Sequence, residues 1–163
     1  MFGSVLVVVD SSPASRRAVE EAVRIARADR ARLTMLLPVA APPMWVSYAP
    51  VAPAQLIADV QRECATLLRE LAGIVSADVP LTTVMPAGRT ADAVLRELGR
   101  RPHDLVVIAD KPRRWLRRGA PARLARRCRV PLLIVPVDDR AAVPAPAVRR
   151  TSRRVRVGPT VGL

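Results

Sequence analysis

Short, continuous apolar runs rich in β-branched residues alternate along this chain with stretches whose apolar residues recur every three or four positions. A run that is apolar at every position marks a strand buried on both faces, as when helices cover both sides of a parallel sheet. Val5 to Val9 is the first such run, ended by Asp10. Ser12 and Pro13 then supply an N-cap hydroxyl and a first-turn proline. Val19, Ala22, Val23 and Ala26 form the apolar stripe of a helix lasting to about residue 28. Leu33 to Val39 is the second strand, with Pro38 stopping its pairing near the end. Residues 40–53 carry Pro42, Pro43, Pro50 and Pro53 with Trp45 and Tyr48, and are expected to form a loop. The spacing of Leu56, Val60, Cys64, Leu67 and Leu71 predicts a long amphipathic helix from Ala54 to about Gly73. Leu81 to Met85 is a third strand, Gly88 turns the chain, and Thr90 offers an N-cap. Ala91, Val94, Leu95 and Leu98 face inward on a third helix ending near Gly99. Asp104 to Ala109 is the fourth strand, Pro121 to Arg127 a short fourth helix, and Pro131 to Val137 the fifth strand. This alternation predicts an open α/β fold, a parallel sheet with helices on both faces.

The 163 residues suit one domain on a prior of roughly 100–200 residues each. We place that domain at residues 1–137 and expect 138–163, with Pro144, Pro146, Pro159 and six arginines, to be a disordered basic tail. Half the residues are hydrophobic, enough for a real core, and no run approaches the roughly 18–20 apolar residues of a membrane span. The first residues carry no basic region before the apolar run and no small-residue cleavage site after it, so a cytoplasmic protein is expected. Cys64 and Cys128 lack partners at metal-ligand spacing and read as small hydrophobes.

The net charge of +13 is unevenly placed. Residues 1–110 balance 12 basic against 12 acidic side chains, whereas Lys111 to Val130 hold 9 basic residues and no acidic one. Such an end favours phosphates, nucleic acid or an acidic partner by electrostatics alone. In an open parallel sheet, ligands bind beyond the carboxyl ends of the strands where strand order reverses. Asp10, after strand one, could there accept from a ribose hydroxyl or hold a cation-bound phosphate; equally, it could cap the first helix with Ser11 and Ser12. His103, the single histidine, precedes strand four on the opposite edge and is expected to be a turn residue. There is no Ser/His/Asp set and no metal-ligand cluster, so no enzyme is expected.

VLVVVDSSPASRRAVEEAVRIAR at 5–27, PAGRTADAVLRELGRRPHDLVVIAD at 86–110 and RGAPARLARRCRVPLLIVPV at 118–137 resemble the opening, middle and closing segments of universal stress proteins. The resemblance covers nearly all of residues 4–137. It implies a five-stranded parallel sheet of order 3-2-1-4-5, frequent dimerisation through the last strand and, in one branch, ATP binding. That branch carries Gly-x2-Gly-x9-Gly-Ser/Thr after strand four, whose backbone N–H groups cradle phosphates. Here Ala109 stands at the first glycine and Pro112, which has no N–H to give, at the second. The third falls on Arg118 or Gly119, leaving the loop about three or four residues short. By the resemblance, Asp10, Val39 (an adenine contact), Ala109 and Gly119 occupy nucleotide-contacting positions.

Lys111, Arg113, Arg114, Arg117 and Arg118 could replace the cradle by charge, since guanidinium groups bind phosphate bidentately; the plainer expectation is a solvated basic surface, as charge runs usually are. Trp115 among them could stack on a base or anchor to the domain. The leading expectation is a regulatory or binding domain of bacterial stress response without an intact phosphate loop. One alternative retains ATP through Asp10 and the arginine patch; the other binds nucleic acid or another polyanion through the basic end. Leu132 to Val137 would be an exposed apolar edge strand if unpaired, so a homodimer is expected.

Overall fold

The structure, a computed structural model, describes residues 1–39, 53–109 and 119–136. Its elements run β1 Ser4–Val8, α1 Ala14–Asp29, β2 Arg32–Leu36, α2 Pro53–Ala72, β3 Leu81–Val84, α3 Thr90–Arg100, β4 Leu105–Ala109, α4 Ala120–Arg127 and β5 Leu132–Val135. All pairings are parallel and the strand order is β3-β2-β1-β4-β5. The expected loop over residues 40–53, apart from Pro53, and the expected tail from 138 lie outside the described residues.

Period-two alternation within each strand divides the core. Val5, Val7, Val9, Leu33, Met35, Leu37, Leu105 and Val107 pack with α1 and α2 on one face. Leu6, Val8, Leu36, Val106 and Ile108 pack with α3 and α4 on the other. Every residue of β1 is buried, which is why its sequence is apolar at nearly every position.

Several boundaries differ from expectation for identifiable reasons. The β2 ladder ends at Leu36, ahead of Pro38, and β5 spans only Leu132–Val135. Pro13, not Ser12, occupies the N-cap of α1, with helical dihedrals and no side-chain cap. The Ser12 hydroxyl turns back to Asp10. Arg89 holds the N-cap position of α3, again without a side-chain bond, and Thr90 is already helical. Helix α1 closes through Arg30 at φ 55°, while the Ala31 N–H donates to the Ala26 carbonyl at 2.8 Å, the wrap-around pattern of a left-handed C-cap.

Helix α2 departs most. Its Leu68 and Leu71 are buried and its Cys64 and Leu67 half-buried, as the spacing predicts, but Leu56 and Val60 are exposed. Twenty helical residues reach about 30 Å, while strands of four or five residues span only about 13–17 Å. The helix overhangs the sheet, and only its second half finds a surface to bury against.

Candidate nucleotide-binding edge

The chain leaves β1 toward β2 and β3, then crosses to β4 on the other side of β1, so strand order reverses between β1 and β4. Asp10 and Ala109 follow and end those two strands, which puts them on either side of the expected crevice.

Asp10 is held tightly. Its carboxylate Oδ1 accepts from the Ser12 N–H at 2.8 Å, from the Ser15 hydroxyl at 3.0 Å and from the Ser12 hydroxyl. Its own N–H donates to Ser15 Oγ at 2.7 Å. This ring fixes the carboxylate over the first turn of α1. Asp10 thus closes the β1–α1 turn rather than capping α1, whose N-cap position makes no side-chain bond, and Ser15, buried in the first turn, takes the place given to Ser11. The available signal was a small hydroxyl residue among the buried positions of the helix.

Val39 sits just past β2. Its N–H donates to the Pro86 carbonyl at 2.9 Å and its carbonyl accepts from the Gly88 N–H at 2.8 Å. Gly88 adopts φ +115°, a region that L side chains rarely enter, and this turn lets the segment after β3 fold back on Val39. Both backbone polar groups of Val39 are thereby engaged within the domain.

Ala109 closes β4, paired in register with Val135. Gly119, buried, is the N-cap residue of α4, with Pro121 in its first turn. Of the expected third-glycine positions, Gly119 is thus the one at the helix start. Lys111, Arg113, Arg114, Arg117 and Arg118, together with Pro112 and Trp115, lie outside the described residues. The structure therefore brings Asp10, Val39, Ala109 and Gly119 to the carboxyl side of the sheet.

His103 lies on the opposite, amino-terminal side, in the short connection between α3 and β4, and it is buried there. It is 6% exposed and its Nδ1 is hydrogen-bonded to Ser4 Oγ at 2.9 Å. Burial pushes its pKa below the ordinary histidine value; Glu97 and Asp104 oppose that shift, and Arg101 and Arg32 add to it. Among the described residues no group of three or more His, Cys, Asp or Glu side chains is placed to hold a metal ion, and no helix is long and apolar enough to cross a membrane.

The sequence model of the universal stress protein family matches residues 1–136. The chain belongs to the universal stress protein family. Solved universal stress proteins share its fold. One from Burkholderia pseudomallei is 20% identical with a TM-score of 0.66, over 83% of this chain and 96% of the other. One from Lactobacillus plantarum is 21% identical with a TM-score of 0.66, over 82% and 97%. A universal stress protein in complex with cAMP is 25% identical with a TM-score of 0.57, over 82% and 97%. No match was found among curated proteins. For a universal stress protein, the sheet order 3-2-1-4-5 is the one the resemblance implied.

Proposed function

We propose that this universal stress protein domain is a non-enzymatic, cytoplasmic regulatory module of bacterial stress response whose ligand edge has no glycine-built phosphate cradle. One observation carries the reading: β4 ends at Ala109 and α4 is capped at Gly119, a connection three positions shorter than the glycine motif needs. Proline at position 112 removes a further backbone donor. Asp10, engaged with Ser12 and Ser15, serves the β1–α1 turn.

A nucleotide-responsive reading has its own support, since the neighbour of 25% identity was solved with cAMP. In that reading Asp10 faces the sugar and the arginines of 111–118 take the phosphates. Thermal-shift titrations with ATP plus magnesium and with cAMP, on wild type and Asp10→Ala at two salt concentrations, separate the two. Loss of the Ser12 and Ser15 contacts lowers the variant's own stability, so the comparison is of ligand-induced shifts. The expected result is no saturable shift, or one equal in both proteins that fades with salt. Saturable stabilisation of wild type alone overturns the proposal. A salt-sensitive shift common to both proteins directs attention to acidic or polyanionic partners of the basic end.

The module is proposed to pair with a second copy through β5. Among the described residues that strand is hydrogen-bonded on one side only, to β4, and Ile134 is 38% exposed beside half-buried Leu132, Leu133 and Val135. The other edge strand, β3, exposes Thr82 and Thr83 instead. Edge strands left apolar invite pairing. Sedimentation velocity at tens of micromolar should give a dimer that Ile134→Lys converts to monomer. A monomeric wild type removes this interface.

A further inference from the structure

On the α3/α4 side of the sheet, the amino-terminal ends of the strands are polar. Ser4 of β1, Arg32 and Thr34 of β2, and Thr82 of β3 share that side by alternation and register. On the reverse side at the same level stand Val5, Leu33, Leu81 and Leu105. A layer needed only for burial would be apolar on both sides. Together with Arg101 and His103, these four polar residues surround a cavity of about 230 Å³. Ser4, Thr34 and His103 are buried and form its floor; Arg32, Thr82 and Arg101 are exposed and form its rim.

Two features mark this cavity as a site. Among the described residues, His103, 6% exposed, has no hydrogen-bond partner at Nε2, and the equally buried Glu97, whose carboxylate acts on the same ring, has none at Oε1, whereas buried polar atoms are nearly always paired. The Ser4 Oγ–His103 Nδ1 bond runs in either direction with the ring tautomer; in the tautomer where the Ser4 hydroxyl donates, Nε2 carries the proton and is the buried donor that an oxyanion requires. Secondly, Arg32 makes no ion pair among the described residues, and Arg101 reaches only Glu97 Oε1, at 4.0 Å. Asp104, the nearest acidic residue in sequence, is occupied by the Gly3 and Ser4 N–H groups at 2.8 and 2.9 Å.

We propose that this amino-terminal cavity is a second site, separate from the carboxyl edge, for a small free tetrahedral oxyanion such as inorganic phosphate. Arg32 and Arg101 supply charge-assisted donors, and Thr34, Thr82 and the His103 imidazole supply neutral ones. The cavity, open to solvent at its rim, lies below the roughly 300–1,000 Å³ of pockets for drug-sized ligands, a size that suits a small anion.

The chain has one histidine, so its ring signals in NMR report on this cavity alone. The full chain is titrated with inorganic phosphate against sodium chloride of matched ionic strength. The expected result is a saturable shift of the His103 ring resonances with phosphate and none with chloride, accompanied by a rise in the His103 pKa. That pKa is read with Glu97 on α3, Arg101 and Asp104 around β4's start, and Arg32 on β2 all facing the ring. Arg32→Gln and Arg101→Gln, both at exposed positions, should each weaken half-saturation by roughly tenfold or more while the amide spectrum stays dispersed. No phosphate-specific shift, or the same shift in both variants, overturns the proposal. Phosphate held by the basic residues 111–130 would leave the His103 resonances unmoved, so this outcome is independent of the nucleotide titrations.

Discussion

Leu124→Ala is expected to destabilise the protein by about 2–5 kcal/mol, read as a lower urea midpoint with an unchanged slope. Leu124 is fully buried and is the only buried residue of α4. It packs among Leu6, Val94, Val106 and Ile108. An eight-residue helix has no stability of its own in water, so this one side chain carries most of what docks α4 on the sheet. Because Gly119 caps α4 beside the candidate edge, the substitution should also loosen that edge. A loss below about 1 kcal/mol, outside the range for buried leucines, would mean that α4 is held by something else.

Met35→Ala should cost a similar amount, about 2–5 kcal/mol, from the other side of the sheet. Met35 is fully buried under α1 and α2. The two residues belong to separate clusters with the sheet between them. The double variant should therefore equal the sum of the single effects to within about 0.5 kcal/mol. Coupling well above that would show that the two faces respond as one unit through the strands.

The element order could be read from the residues because each buried strand is a short run too apolar for any exposed role and too short for a helix. The strand order could not. Which strand flanks β1 is decided by pairings such as Val5 with Leu105, and only the family resemblance supplied it. The stripe through Leu56 and Val60 looked the same as the one through Leu68 and Leu71, because periodicity does not reveal where a helix outruns its sheet. Ser12 and Thr90 looked like caps, yet the Asp10 carboxylate captured Ser12, and Thr90 lies one residue inside its helix. Of the candidate edge, Asp10 and Gly119 were visible as punctuation at element ends. The engagement of Val39 with Pro86 and Gly88 was not, since those residues are distant in sequence. The bond between Ser4 and His103 joins residues far apart in the chain; its only trace in the sequence is one serine opening an otherwise apolar β1.

The position of β1 at the centre of the sheet also has a consequence for the order of synthesis. Within this stretch its apolar run is made before every strand that pairs with it, and β2 can cover one edge early. The other edge belongs to β4, a hundred residues later at Leu105. At about 5–20 residues per second, that edge stays bare for roughly 5–20 s during translation. The nascent chain, more than the finished domain, is where this protein most needs protection from aggregation.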